Sequence, residues 1–389
     1  MNKDIVPQLS KYISYHPINK SEYFIHETQW DHRVKISSQL YDFLHLVDNK
    51  KTLETIVIEY NSKYDSNLKV DFCHGFLFEK LAEFGIILNE DQVIKPNEKP
   101  NYLKLSFIVI SEKQVSKFTK YLQFLFLPRV MILILMLSVI ILSFSFYQFY
   151  NQILYSNIAK SEWMIFFLLS FVGVTFHEFG HASAAHYFKA KHGGIGGGFY
   201  LFMPVYFADV TDIWKLPKIQ RIIVNAAGMY FEIVYMLFLI FIGFVFQNQL
   251  LIILSCVISF SILRNLNPFL RSDGYWILSD AIEKPNLMHH GTLKVLQIFK
   301  RKKNWRGLDY FVLFYGLISK SFILFFLYYV IIKNPNSILY FPQNLANFVS
   351  NIFNENSRFS LAELGKLLIP ILFFYLIFRW LKALIIKII

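Results

Sequence analysis

His177, Glu178 and His181 carry the clearest chemistry in this chain. They lie in WMIFFLLSFVGVTFHEFGHASAAHYF, residues 163–188, where the stretch before His177 is apolar or small apart from Ser170 and Thr175. No breaker interrupts the run, so the pattern predicts one continuous helix. Residues at i and i+4 share a helix face, so His177 and His181 can grip one ion together. Glu178 leans toward that face from the side. H-E-x-x-H on a helix offers two imidazole ligands to zinc and a carboxylate as general base, the equipment for metal-assisted hydrolysis. Ionisable side chains inside an apolar helix are costly unless they serve a site. A polar patch packed between helices is the plainer reading and ranks below the metal site.

A catalytic zinc usually takes three protein ligands and a water. The third ligand is expected at 265–280, NLNPFLRSDGYWILSD. Asn267-Pro268 breaks a helix, because proline disfavours helix at the residue before it. Asp273-Gly274 is a turn signal. This polar break follows the apolar run 250–263 directly. Irregular backbone at membrane depth is tolerated only where it is buried in protein or lines a cavity. A ligand and a substrate contact belong there, with Asp273 the best candidate for the ligand.

HEFGH in one membrane helix, followed far downstream by NPFLRSDG, resembles the site-2 protease family of intramembrane zinc metalloproteases. The resemblance covers roughly residues 120–330. It implies His177, His181 and Asp273 as ligands of one zinc ion and Glu178 as catalytic acid/base. It also implies that Asn267 contacts the substrate or the reacting carbonyl. The stretch LRSDGYWILSDAIEKPNL further resembles the subgroup of peptide zinc metalloproteases. The family motif often carries a second proline after Asn-Pro, where this chain has Phe269-Leu270, a departure that bears on the shape of the loop.

The elements that must position these residues follow from composition. Of 389 residues, 55% are hydrophobic and 42 are phenylalanine, and the mean hydropathy is +0.40. That is the profile of a multi-span membrane protein. Cys73 and Cys256 have neither disulfide-framework nor zinc-ligand spacing. The first hundred residues hold no apolar core of a cleavable signal. The net charge of +12 is unevenly placed. Residues 1–100 carry 12 Lys+Arg against 15 Asp+Glu, and the rest carry 27 against 12.

Residues 1–100 read as a small soluble α+β domain. A strand pair is expected at 23–25 and 33–36. A helix capped by Ser37 or Ser38 then runs to about Val47, a second follows Thr52, and a third begins at Val70 and ends at Gly85. Ile86–Leu88 returns as a strand. This winged helix-turn-helix order, with KISSQLYDFLHLVD and LAEFGIIL, resembles the PqqD-like domains that bind leader peptides of ribosomally made, modified peptides. A DNA-binding winged helix is a poor fit, because phosphate neutralisation dominates DNA affinity and this domain is net acidic. A purely structural cap is a third reading. Residues 101–128 are expected as a basic and apolar linker, either touching the lipid surface or forming a solvated helix.

Spans are expected near 130–149, 163–187, 222–246, 250–265, 311–332 and 367–386. Loops 189–221 and 271–310 hold five and eight Lys/Arg, while 151–162, 247–249 and 333–365 hold one, none and two. The positive-inside bias then puts both termini in the cytoplasm. His177 falls about 21 Å down its span from the outer end, at 1.5 Å per residue. The glycines of GGIGGGFYLFMPVY, residues 193–206, exclude a stable helix. They suit an edge strand that pairs with an extended substrate, or a flexible interfacial loop. Asp209 and Asp212 read as loop caps, with metal binding a minor option. Glu232 reads either as a partner of a ligating histidine or as a packing contact. His186, His192, His289 and His290 lack spacing to the motif.

The expectation is a polytopic α-helical membrane protein of about six spans: recognition domain 1–100, linker 101–128, zinc metalloprotease core 129–332, and an external loop with a last span at 333–389. It would be a zinc endopeptidase in a bacterial cell membrane that processes a small peptide precursor. Its expected partners are that peptide, membrane lipid, and a modifying enzyme and exporter, with no nucleic acid. The alternatives are a proteolytically silent peptide escort and a membrane-tethered regulator.

Overall fold

The computed structural model describes residues 5–19, 21–88, 94, 103–155, 160–200, 203–299, 305–353, 367, 369–378 and 381. The chain forms two compact units, Met1–Tyr102 with Thr211–Arg221, and Leu103–Val210 with Ile222–Ile389.

The first unit opens with a three-stranded antiparallel sheet in the order β1-β2-β3, made of β1 (Ile13–Asn19), β2 (Glu22–Glu27) and β3 (His32–Ser37). Tyr23 pairs with Ile36 and Ile25 with Val34, which sends alternate apolar side chains to one face. Ser37 caps α1 (Ser38–Leu44) by accepting from Leu40 N–H, and Thr52 caps α2 (Leu53–Tyr64) by accepting from Thr55 N–H. α3 (Val70–Gly75) continues through a π-helical turn and a 3-10 turn to Phe84. Gly85 ends it at φ +70°, the left-handed conformation that glycine adopts most freely. Leu44, Leu53, Ile56, Leu77, Ile86 and Ile87 close the core. Two details differ from the sequence expectation. β1 is an additional strand, and the expected return strand at 86–88 is a single bridge between Leu9 and Ile87. Tyr15, Tyr23, Tyr41 and His45 form an aromatic group, with the Tyr23 and Tyr41 rings stacked at 3.8 Å. Burial, then the adjacent Tyr41, pushes the Tyr15 phenol up to about 12.

The second unit is mostly helical. Among the described residues, four helices are long and apolar enough to cross a membrane: Pro128–Ile153, which belongs to α5 (Pro128–Tyr155), Met164–Tyr187, Lys218–Val245 and Gly307–Lys333. Gln249–Asn265 and Ile369–Phe378 are shorter apolar helices. Ile132, Leu133, Met136, Val139 and Ile140 stand exposed on the first of these, as a lipid-facing helix requires. The expected sixth span and the outer loop fall partly outside the described residues, at 354–366, 368, 379–380 and 382–389.

The expected linker is more structured than its composition suggests. LKLSFIVI forms β4 (Leu103–Ile110), and EKQVSKFTKYL forms α4 (Glu112–Leu122). β4 joins β5 (Ile195–Tyr200) and β6 (Met203–Ala208) in an antiparallel sheet with β5 in the centre. The glycines of β5 permit this crowding, since a Cβ at Gly196 would meet the Phe107 carbonyl. β6 is left as an edge strand.

Candidate metal centre

Four elements of the second unit build the centre: α6 (Lys160–Tyr187), α7 (Lys218–Val245), α8 (Gln249–Asn265) and α9 (Asp273–Ala281). α6 carries His177, Glu178 and His181, all buried. Small residues surround them, with Ala182, Ser183, Ala184 and Ala185 fully covered. At Gly180 a Cβ would meet the Ala227 carbonyl, so α7 passes against α6 at backbone distance.

That close passage decides the histidine tautomer. His181 Nδ1 lies 2.8 Å from the Val224 carbonyl oxygen. A carbonyl only accepts, so Nδ1 donates, and the neutral ring presents a lone pair at Nε2. Nε2 of His181 stands 3.1 Å from Nε2 of His177. Asp273 joins them, with Oδ2 3.1 Å from His177 Nε2 and Oδ1 3.5 Å from His181 Nε2. Asp273 Oδ2 is buried without a hydrogen-bond donor.

These residues fit a cation. Acceptor atoms meet from three sides, and the carboxylate oxygen among them lacks a proton to share. Ligand atoms around a tetrahedral zinc with bonds of about 2.0–2.1 Å stand roughly 3.3 Å apart. The two imidazole nitrogens stand 3.1 Å apart, near that figure, and one Asp273 oxygen faces each of them, Oδ2 at 3.1 Å and Oδ1 at 3.5 Å; one ligand atom from each residue lies within 4.8 Å of the others. Gly228 on α7 keeps the space open, because a Cβ there would meet Nε2 of both histidines.

Asp273 arrives by a pinned turn. α8 ends at Asn265, and Asn267 Oδ1 accepts from Phe269 N–H at 2.9 Å. Ser272 Oγ donates to the Asn267 carbonyl at 2.8 Å, and Tyr315 Oη donates to the Pro268 carbonyl at 2.8 Å. Phe269 stacks on Tyr315. The residue that stands in place of a second proline therefore anchors the turn by packing. Asp273 is the first residue of α9, and at Gly274 a Cβ would meet the backbone of Leu266. The Asn267 side chain is engaged with its own turn. Asn265, not singled out from the sequence, lies with Nδ2 3.4 Å from Glu232 Oε1. Glu232 Oε1 is in turn 3.2 Å from His177 Nδ1.

Glu178 is oriented by the sheet, since Ala208 N–H at the end of β6 donates to its Oε2 at 2.7 Å. Asp209 closes the same hairpin through its backbone, with Gly193 N–H donating to the Asp209 carbonyl at 2.7 Å and Asp209 N–H to the Gly194 carbonyl at 3.2 Å. Asp212 pairs with Lys215 at 2.5 Å. His186 and His192 lie outside the centre, where both contact the buried Thr119 hydroxyl at 3.1 and 3.3 Å. Nothing in the spacing of Thr119 to those histidines signals this group, because β4 and α4 reach it only through the fold.

A Bacillus subtilis (strain 168) protein named "Putative peptide zinc metalloprotease protein YydH" is 24% identical over 202 residues, which span 50% of this chain and 79% of that protein. No family model and no solved structure matches the chain.

Proposed function

We propose that this chain is an intramembrane zinc endopeptidase of the site-2 protease type that trims a small peptide precursor, one made on the ribosome and modified. The observation that carries this reading is the convergence of His177 Nε2, His181 Nε2 and the Asp273 carboxylate among apolar helices, with Glu178 next in sequence to the first ligand. The likeness to the Bacillus subtilis protein supports a zinc peptidase. Zinc bound there would supply a Lewis acid that polarises the scissile carbonyl and acidifies the attacking water. Glu178 takes the proton and delivers it to the leaving amine. Ala208 N–H holds the Glu178 carboxylate in place while it does so. The β6 edge offers an unwound substrate segment backbone partners, which a helical peptide needs before its amide is reachable.

Gln249–Asn265 and Ile369–Phe378 would complete six spans in a bacterial cell membrane. Residues 1–100 act as a PqqD-like winged-helix unit that captures the leader peptide. Residues 101–128 lead into the core at 129–332, and 333–389 form an outer loop and last span. Asn267, in the turn that leads to Asp273, contacts the substrate or the reacting carbonyl. A modifying enzyme and an exporter work beside the protease.

The ligand set is tested by metal content. His177→Ala, His181→Ala and Asp273→Ala each lower the zinc per purified chain well below one. Stoichiometric zinc in all three variants would sink the assignment.

The lysine and arginine bias supports cytoplasmic termini. Asn157 and Asn304 lie outside the described residues, in segments assigned to opposite sides by that bias. Cysteine introduced at Asn157 reacts with an impermeant thiol reagent on intact cells, and cysteine at Asn304 does not. The reverse labelling would invert the topology.

A further inference from the structure

Val224, Gly228 and Glu232 are spaced by four along α7, so they form one stripe of that helix. Opposite them, His181 and His177 are spaced by four along α6. The stripe meets the histidines in order. The Val224 carbonyl takes the Nδ1 proton of His181. Gly228 leaves the gap where both Nε2 atoms converge. Glu232 brings Oε1 to 3.2 Å from Nδ1 of His177.

We propose that Glu232 is a positioning residue of the metal centre: it accepts the Nδ1–H of His177 and so holds the Nε2 lone pair of that ring toward Asp273 and His181. This rests on the zinc reading above. A carboxylate 3% exposed inside an apolar span is costly and needs a local reason. The reason fits the contacts. His177 lies on one side, and on the other Asn265 Nδ2 donates to the same Oε1 at 3.4 Å, tying the end of α8 to the carboxylate. Glu232 Oε2 is buried and unpartnered, so the carboxylate is not consumed by a separate network. The Nδ1–Oε1 contact is short but out of line, and His177 Nδ1 has no other hydrogen-bond partner. At that distance a slight turn of the ring would bring Nδ1–H into line with Oε1. Partners of this kind fix the tautomer of a ligating histidine and raise its basicity. Here one histidine uses a backbone carbonyl and the other a side chain, so only the His177 half is open to substitution.

The test uses the full-length chain purified in detergent, with zinc affinity measured by chelator competition and the visible spectrum recorded after loading with Co2+. Glu232→Met keeps the length of the side chain and removes the acceptor. It lowers zinc affinity about 10–100-fold and shifts the cobalt bands. Its metal-free melting temperature stays level or rises, since an apolar replacement of a buried charge is often neutral or stabilising. Glu232→Gln keeps an acceptor oxygen and recovers most of the affinity and the wild-type bands. Wild-type affinity with unchanged cobalt bands in Glu232→Met overturns the proposal. So does equal weakness of both variants accompanied by lowered metal-free melting, which marks a merely structural role. A wild-type chain that binds no zinc fails the earlier reading instead.

Discussion

Glu178→Gln leaves zinc bound and the fold intact while cleavage of the precursor falls by on the order of 10² to 10⁴. The substitution keeps size and removes the group that moves the proton. It also keeps an oxygen able to accept Ala208 N–H, so the tie between α6 and β6 survives. The ligand atoms of His177, His181 and Asp273 belong to other side chains, so metal content is expected at the wild-type level. With residues 1–100 unaltered, any capture of the precursor by that unit is expected to persist, so that cells accumulate the uncut peptide. Peptide length by mass spectrometry reads the outcome, with zinc per chain measured on the same variant. If the mature peptide has the same length and abundance in both strains, HEFGH performs no hydrolysis here and the chain serves as an escort.

Gly228→Ala separates the metal from the fold by the opposite route. In a helix interior alanine is favoured over glycine by roughly 0.5–1 kcal/mol, and Gly228 has no positive φ that alanine would resist. The backbone gains while the site loses. The new methyl would press into His177 Nε2 and His181 Nε2 well inside van der Waals contact, and would stand 2.6 Å from His177 Cδ2. Both rings must leave the converged arrangement, and with them go two of the three ligand atoms. Zinc per chain drops to a small fraction of one and activity disappears, although no chemical group of the site has been removed. Metal analysis and thermal melting of the purified variant are read together. Full zinc retention would show that the rings have room to spare, and would remove Gly228 from the account of the site.

The two histidines and Glu178 were legible from sequence because a helix turns helical spacing directly into proximity: His177 and His181 sit one turn apart whatever surrounds them. Asp273 was legible for a different reason. A polar break between apolar runs at membrane depth has to be buried in protein or line a cavity. The caps at Ser37 and Thr52 and the stop at Gly85 were equally local. The strand at 103–110 is not legible in the sequence, because LKLSFIVI sits in a basic stretch and its partner strand lies some ninety residues on. The motif marks Asn267 for the substrate; in the structure its side chain accepts from Phe269 N–H, and Asn265, which no motif marks, reaches Glu232. Whether Glu232 packs or partners a histidine was open in the sequence, and so was the value of an empty position at Gly228. Val224, Gly228 and Glu232 look like any apolar helix with a stray acid until α7 is laid against α6. Spacing along one helix is set by its pitch, whereas the partner of each imidazole nitrogen depends on which turn of a neighbouring helix lies opposite. That register is decided by the packing of Gly180 on the Ala227 backbone, a tertiary contact between residues nearly fifty positions apart.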